Sequence, residues 1–150
     1  MGTVLAMPEV LSMAMHALLL LAKDEGKVMK SEEIAETIGC SHPNLVRSLQ
    51  MLKKAGLLKS EKGPGGGYSL ARPADVITLL EIHEATFGPL YSPGCGVRGC
   101  SIEGCELAWF TDHITEVFRK HLSKSTLADF VNSSANRKRP VVVIAPEEKM

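Results

Sequence analysis

The fold of this chain is decided by residues 41–70, which read SHPNLVRSLQMLKKAGLLKSEKGPGGGYSL. The first half of this stretch predicts a helix that Ser41 can cap and that Gly56 stops. One buried stripe recurs along it at i, i+4 and i+7 and consists of Leu45, Leu49 and Leu52. The second half predicts two short strands on either side of the glycine-rich loop 62–67. The stretch therefore reads as a helix followed directly by a basic β-hairpin.

Two further helices are predicted upstream of this stretch. Residues 9–24 are mostly apolar, which is typical of a helix buried between neighbours, and His16 stands out among the apolar residues at its centre. Ser31 begins a second helix that Gly39 ends, with two glutamates in its first turn near the positive helix end. A helix, a short turn and a second helix with a polar outer face form a helix-turn-helix, and the hairpin after it forms a wing. The sequence thus predicts a winged helix-turn-helix domain that binds DNA over residues 1–74.

Charge is distributed unevenly along this chain of 150 residues, which has no net charge. Residues 47–72 carry six lysines or arginines against one glutamate, a local charge of +5, whereas residues 73–118 carry one arginine against seven carboxylates. A basic block of this kind is either a surface for phosphates or a solvated face without a partner. No apolar run approaches the ~20 residues that a membrane span needs, and we recognise no signal peptide, so we expect a cytoplasmic protein with no membrane partner.

The second half of the chain is predicted to form the dimer contacts. Thr78 and Glu81 match a capping box and open a helix that runs to about Thr86. A long amphipathic helix follows from about Glu106 to Leu122. Its apolar face is predicted to contain Leu107, Phe110, Ile114, Val117, Phe118 and His121. Because so small a domain offers this helix little to pack against, we predict a dimerisation helix; the alternative is that it folds back on its own domain.

The C-terminal end is predicted to hold one more helix and a tail. Residues 75–131, which contain the cysteine loop and the dimerisation helices, close with a short helix that Ser125 caps. Residues 132–150 are expected to form a mostly disordered tail. This tail contains three consecutive basic residues at 137–139 and an apolar run at 141–144 that can add an edge strand.

Three of the four cysteines lie in the segment PGCGVRGCSIEGCELAW at residues 93–109. They are Cys95, Cys100 and Cys105, and glycines separate and flank them. A loop this rich in glycine has little reason to be ordered unless something orders it, and clustered thiols in a reducing compartment more often bind metal or react than form structural disulfides. The residues alone leave open a metal or cluster site, a structural zinc site, and a thiol–disulfide switch without metal. We find no nucleophile-and-base arrangement for catalysis, so we do not expect an enzyme.

Taken together, these residues resemble the IscR/NsrR-type (Rrf family) winged helix-turn-helix iron–sulfur transcriptional regulators, repressors and activators, over about residues 7–131. The most specific matches are AGLL at 55–58 leading into KGPGGGY at 62–68, the three-cysteine loop, and TLAD at 126–129. The resemblance implies a homodimer that binds a palindromic operator in double-stranded DNA. It further implies a [2Fe–2S] or [4Fe–4S] cluster whose state sets DNA affinity in response to redox change, oxygen, nitric oxide or iron. The implied ligands are Cys95, Cys100 and Cys105.

The fourth ligand of such a cluster departs from the family pattern. In IscR it is a histidine three residues beyond the last cysteine, a position that Ala108 occupies here. In other relatives a residue on the first helix of the partner subunit completes the site, and the matching positions here are Ser12 and His16. His16 is our leading candidate, the alternative being a core or interface histidine satisfied by a hydrogen bond. The remaining candidates lie near the loop and are Glu103, Glu106, Asp112 and His113.

The predicted DNA contacts lie on the recognition helix and on the wing. On the helix they are Ser41, His42, Asn44, Arg47 and Ser48, and at the helix end and wing they are Lys54, Lys62 and Tyr68. Side-chain geometry suits Arg47 to a guanine edge and Asn44 to an adenine edge. Two alternatives belong to other classes, namely a small iron–sulfur electron carrier and a protein-interaction module whose winged helix no longer binds DNA.

Overall fold

The computed structural model describes residues 7–92, 94, 97 and 102–134. In this part of the chain the elements are α1 Glu9–Ala22, α2 Ser31–Ile38, α3 His42–Lys54, β1 Leu58–Glu61, β2 Gly67–Leu70, α4 Leu79–Phe87, α5 Glu106–Lys124 and α6 Leu127–Ser134. The two strands form one antiparallel hairpin. The prediction of a mainly helical, winged helix-turn-helix fold is confirmed. Among the helices described, none is long and apolar enough to cross a membrane.

One hydrophobic core joins the helices, and α1 packs against α2, α3, α4 and α6. α1 ends at Ala22, two residues earlier than the sequence predicts. The predicted stripe on α3 is confirmed and fully buried: Leu45, Leu49 and Leu52. Ile82 of α4 and Leu127 of α6 belong to the same core, which is therefore continuous across residue 74. The division of the chain into separate parts at that residue stays a prediction.

The wing is tied to the body of the domain through its returning strand. The backbone N–H of Tyr68 donates to the carbonyl of Met29 at 2.7 Å, and the N–H of Met29 donates to the carbonyl of Tyr68 at 3.0 Å. A Cβ atom on Gly67 would overlap the carbonyl of Met29, and a Cβ atom on Gly66 would overlap the carbonyl of Glu61. These two glycines therefore let the wing close against its own chain.

Helix α4 begins with the predicted capping box, which is confirmed. The N–H of Glu81 donates to Thr78 Oγ1 at 3.2 Å, and the N–H of Thr78 donates to the Glu81 carboxylate at 2.9 Å. The same carboxylate accepts a hydrogen bond of 2.7 Å from Arg72, which follows the wing. Burial raises the pKa of Glu81, but the hydrogen bonds from Thr78 and Arg72 outweigh this effect and hold the pKa below its usual value of 4.5.

Replacing Glu81 by glutamine is expected to lower the free energy of unfolding at pH 7 by roughly 1 kcal/mol, because a neutral amide is a weaker acceptor for both partners. The effect is small because the Glu81 side chain is 40% exposed. A carboxylate with a lowered pKa stabilises the folded state above its usual pKa, and this contribution is lost as the pH falls through the folded-state value. The difference between wild type and Glu81→Gln should therefore shrink below pH 4.5. Urea denaturation at several pH values measures this difference in the free energy of unfolding. Glu61→Gln is the control, because Glu61 is exposed. A difference that persists in acid would contradict this account.

The last helix has a different cap from the one predicted. The N–H of Thr126 donates to the Asp129 carboxylate at 2.8 Å, and the N–H of Asp129 donates to Thr126 Oγ1 at 3.3 Å. The Ser125 hydroxyl instead donates to the carbonyl of His121 at 3.0 Å, in the last turn of α5. The prediction of Ser125 as the cap is therefore wrong, because the neighbouring threonine makes the reciprocal bonds.

Helix α6 also extends further than predicted. It continues to Ser134, past the predicted end at residue 131, so residues 132–134 of the predicted tail are helical. The rest of that tail, residues 135–150, lies outside the described residues, and the prediction of disorder and of an edge strand there is not tested.

Helix α5 has two apolar sides that face different surroundings. Phe118 and Leu122 are half-buried and line a groove shared with α1, α4 and α6. A second side carries four side chains that are about half exposed: Leu107, Phe110, Ile114 and Val117. Phe118 lies one helical turn after Ile114, so it borders this exposed side and also lines the groove. By this contact α5 folds back on α4, and its other side stays exposed.

Candidate nucleic-acid interface and cysteine loop

The recognition helix α3 exposes one stripe opposite its buried leucines. The exposed side chains on this stripe are Pro43, Asn44, Arg47, Gln50 and Lys54. They recur at intervals of three and four residues, which places them on one helix face. Three predicted DNA contacts, Asn44, Arg47 and Lys54, lie on it. Ser41 is exposed at the start of the helix and makes no side-chain capping hydrogen bond.

Gln50 is a candidate base-reading residue that the sequence prediction missed. It is exposed one helical turn after Arg47, on the same stripe. A glutamine amide can pair with an adenine edge through two hydrogen bonds, as an asparagine amide can. The sequence contained the information that identifies Gln50, because this residue follows Arg47 by three positions and therefore lies on the same helix face.

Ser48 lies on the buried side of α3. Its side chain is fully buried, and Oγ is 3.4 Å from the carbonyl of Val10 in α1 and 3.3 Å from the carbonyl of Asn44. The hydroxyl therefore lies between α1 and α3, close to a backbone carbonyl of each helix, and does not reach the exposed stripe. This burial contradicts the prediction of Ser48 as a DNA contact.

His42 connects the start of α3 to the start of α2. Its Nε2 lies 3.0 Å from the hydroxyl of Ser31 and 3.6 Å from the carboxylate of Glu32. The pKa of Glu32 is below its usual value, first because its own backbone N–H donates to the carboxylate, then because the Ser31 hydroxyl does, with a smaller contribution from His42. His42 therefore helps to hold the two helices of the helix-turn-helix together, and its contact with DNA stays a prediction.

The wing carries one exposed and one half-buried predicted contact. Lys62 is exposed at the start of the wing loop, whereas Tyr68 is half-buried and packs against the core. Lys53 at the end of α3 donates to the hydroxyl of Ser60 in β1 at 2.6 Å. This bond and the pairing with Met29 fix the wing beside α3. One duplex can then meet both, although contacts of Lys62 and Tyr68 with DNA stay predictions.

One of the three loop cysteines lies among the described residues. Cys105 is half-buried and directly precedes α5, as its N-cap residue. The positive end of the α5 dipole favours anionic ligands such as thiolates at this position. Cys95 and Cys100 lie outside the described residues, so the three-cysteine ligand set stays a prediction. Within residues 7–92, 94, 97 and 102–134, no three His, Cys, Asp or Glu side chains are grouped as a metal site requires.

His16 is exposed on α1, and its ring is held in an orientation that suits a metal ligand. Nδ1 lies 2.7 Å from the carbonyl of Ser12. A carbonyl oxygen only accepts hydrogen bonds, so Nδ1 is the donor and Nε2 of the neutral ring carries the lone pair. Metal-binding histidines almost always donate their second ring N–H in this way. Exposure rules out a core position in the single chain, whereas the alternative of an interface histidine satisfied by its hydrogen bond stays open.

The candidates for the fourth ligand near the loop differ in their access to Cys105. All of them are exposed: Glu103, Glu106, Asp112 and His113. His113 lies two turns along α5 from Cys105, a rise of about 12 Å. Its ring stacks on that of Trp109, with centroids 5.2 Å apart. Because Trp109 occupies the intervening turn, His113 is the less suitable of these candidates, whereas Glu103, Glu106 and Asp112 stay open.

The chain is similar to known transcriptional regulators over most of its length. A family model described as Rrf2, iron-dependent transcriptional regulator, matches residues 8–133. The HTH-type transcriptional regulator IscR of Cereibacter sphaeroides is 31% identical over 134 residues, which covers 85% of this chain and 83% of that protein.

Two solved structures share the fold. CymR (YrzC), the global cysteine regulator of B. subtilis, superposes with a TM-score of 0.74 at 28% identity, over 86% of this chain and 98% of that one. T. potens IscR superposes with a TM-score of 0.71 at 26% identity, over 91% of this chain and 94% of that one.

Proposed function

The chain belongs to the Rrf2 family of iron-dependent transcriptional regulators, and we propose that it is a homodimer whose binding to a palindromic operator is switched by an iron–sulfur cluster. Regulation of transcription through DNA follows from the family, and the relatives described above are regulators rather than enzymes. The cluster, the dimer and the operator are the parts that we propose. The observation that carries the proposal is α5, which begins at a loop cysteine and is joined at its other end to the winged domain.

The connection from α5 to the winged domain is made of hydrogen bonds and one ion pair. Two backbone hydrogen bonds of 2.9 and 2.8 Å join residues 77–79 to residues 125–127, just after α5. Arg119 of α5 lies 3.5 Å from Glu84 of α4. The capping box of α4 is in turn bonded to Arg72 at the end of the wing. A displacement of α5 would therefore move the segment that leads from the wing to α4. A bound cluster can change DNA affinity only by as much as its own affinity differs between the two arrangements of the protein.

The homodimer part of the proposal rests on two apolar surfaces of one chain. The first is the exposed side of α5, defined by Leu107, Phe110, Ile114 and Val117. The second is a groove of about 440 Å³ between α1, α4, α5 and α6, whose lining includes Met7, Leu11, Phe87 and Phe130. Nδ1 of His83 is buried at this groove and has no hydrogen-bond partner among the described residues. Two copies related by a twofold axis can cover both surfaces at once.

The donor groups of this chain fit an iron–sulfur site with mixed ligands. The loop cysteines would supply thiolates, and Nε2 of His16 from the second subunit would supply a nitrogen ligand. A cluster with one non-cysteine ligand would provide a group that oxygen, nitric oxide, redox change or iron scarcity can alter. A cytoplasmic location, where thiols stay reduced, is part of this proposal.

Purification without oxygen tests the cluster. We expect wild type to be coloured, with bound iron and sulfide and a visible circular dichroism signal, because three thiolates and His16 would complete a ligand set. His16→Ala is expected to alter or lose these signals. The matched variant Ser12→Ala keeps the backbone carbonyl that orients His16, so loss in this variant alone would assign the ligand to Ser12. A colourless wild type without iron, with three titratable loop thiols, would contradict the cluster.

A switch without a cluster is the second candidate, and similarity to a global cysteine regulator favours it. The same winged domain would then respond through the loop thiols, as a thiol–disulfide switch or through a zinc ion. An iron-free protein whose DNA affinity changes on mild oxidation and returns with a thiol reductant would establish the thiol switch. The same response abolished by a zinc chelator would establish the zinc form.

A further inference from the structure

A depression between α1, α2 and α6 has no role in the function proposed above. It has a volume of about 400 Å³. Its floor consists of half-buried apolar side chains: Leu19, Leu20, Ile38 and Val131. Its rim is polar and exposed, and consists of His16, Lys23 and Thr37. An apolar centre inside a polar rim is the usual anatomy of a surface that binds another protein.

Trp109 is a large apolar side chain that its own chain leaves uncovered. It is the only tryptophan of the sequence and is 65% exposed. Its N–H donates to the carbonyl of Cys105 at 3.2 Å, one turn earlier, so the two side chains share a face of α5. Ile114, on the exposed apolar side of α5, lies about 140° around the helix from Trp109. A contact between the exposed apolar sides of two α5 helices would therefore leave the indole in water.

The proposed ligand set brings Trp109 and the depression together. His16 belongs to the rim, and its Nε2 would bind the same cluster as Cys105 of the partner subunit. Ligands of one cluster lie within a few bond lengths of each other, so the partner's α5 would begin at this rim. The partner's Trp109 follows after a rise of about 6 Å. Among the large apolar side chains of α5, it is the one that shares a face with Cys105.

The charges around the two surfaces are complementary. Lys23 on the rim has no ion-pair partner among the residues that the structure describes. Trp109 lies between two exposed carboxylates, Glu106 and Asp112, each three residues away along α5. A lysine that faces the carboxylates beside the indole favours this orientation of the two subunits.

We propose that Trp109 of one subunit seats in the depression of the other, against Ile38 and beside His16. This inference rests on the proposed homodimer and on its ligand set. Thr37 and Ile38 end α2, and the turn that leads to α3 begins just after them. The contact would therefore hold the start of one α5 against the helix-turn-helix of the other subunit, and loss of the cluster would release it.

Intrinsic fluorescence tests this contact in the full-length protein, because all tryptophan emission comes from Trp109. Wild type is purified without oxygen, and its emission maximum is recorded for the dimer and, after dilution, for the monomer, with sedimentation velocity to assign each state. The position of the maximum is compared, because a cluster that absorbs light also lowers the intensity. We expect the maximum to lie at shorter wavelength in the dimer, where the indole is out of water, and to move to longer wavelength in the monomer.

A double-mutant cycle identifies the surface that covers the indole. Trp109→Ala is expected to raise the dimer dissociation constant by roughly 10- to 30-fold, as the loss of a buried aromatic anchor does. Ile38→Ala removes part of the floor of the depression. Because the two side chains would contact each other, the double variant should lose little more affinity than Trp109→Ala alone.

The control cycle pairs Ile38→Ala with Phe110→Ala. Phe110 is an exposed aromatic residue on the other side of α5, so the two losses should multiply. Circular dichroism verifies that each variant is folded.

The outcomes separate this inference from the proposed function. A maximum at long wavelength in both states, in a dimer that holds its cluster, would overturn the inference and leave the proposed function intact. A maximum at short wavelength in both states would also overturn it, because Trp109 would then be covered by its own chain. Losses that multiply for Trp109 and Ile38, as in the control cycle, would place the indole elsewhere on the partner and overturn it too. A colourless, monomeric wild type would overturn both the inference and the proposed function.

Discussion

Ile114→Glu is expected to dissociate the proposed homodimer into monomers and to weaken operator binding by on the order of 100-fold. Ile114 lies at the centre of the exposed apolar side of α5 and is 50% exposed in the single chain. A second copy that covers this side would bury the new carboxylate without a partner. The free-energy cost of burying that charge exceeds the free energy that one apolar side chain contributes to dimerisation. A monomer engages one half-site at a time, so the contribution of the second recognition helix is lost.

Sedimentation velocity and operator titration measure the two effects in the same samples. The control is Lys120→Glu, which also places a carboxylate on α5 and makes the larger change in net charge, at a side chain that is 69% exposed and lies off the apolar side. Its ion pair with Glu116 is exposed and contributes little. A dimeric Ile114→Glu protein would show that the second copy does not cover this side. A monomeric wild type with full operator affinity would remove the dimer from the proposal.

Arg47→Ala is expected to lower affinity for the preferred operator by roughly 10- to 100-fold and to change affinity for unselected DNA little. An arginine that pairs with a guanine edge contributes about 1–3 kcal/mol of discrimination against the wrong base. Arg47 is exposed on the stripe of α3. The packing of the helix should therefore survive, since the leucines on its other side are untouched.

Titrations of both duplexes distinguish base reading from phosphate contact at Arg47. Lys62→Ala is the matched control, because an exposed lysine in the wing loop is expected to weaken both duplexes alike and to lower the salt slope by about 0.9. Circular dichroism verifies that each variant is folded. Equal losses on both duplexes for Arg47→Ala would show that this side chain meets the phosphate backbone, and Gln50→Ala would then be the next variant to test for base reading.

Sequence reasoning predicted the DNA-binding half of the site more completely than the sensing half. Asn44, Arg47 and Lys54 share an exposed stripe because helix periodicity places them opposite the buried leucines. The cysteine loop offers no periodicity of this kind, so its ligands follow only from residue type and from the family resemblance. His16 is intermediate, because its place on α1 is periodic, whereas the bond that orients its ring is seen only in the structure.

The sequence by itself determined the features that depend on neighbours within about four residues. The helix-turn-helix, the hairpin and the capping box of Thr78 and Glu81 are of this kind, because helix periodicity, turn residues and caps act over one helical turn. Even there, two adjacent hydroxyl residues left the cap of α6 ambiguous, and Thr126 makes the reciprocal bonds that Ser125 was predicted to make.

Only the tertiary structure decided features that join residues far apart in the chain. Ser48 is buried because α1 packs over it, with its hydroxyl at the carbonyl of Val10, 38 residues away. Gly67 is required because the wing closes on Met29, and the end of α6 lies beside α2 because both pack on α1. Such contacts depend on which faces meet when the core is buried, and no local pattern specifies that pairing.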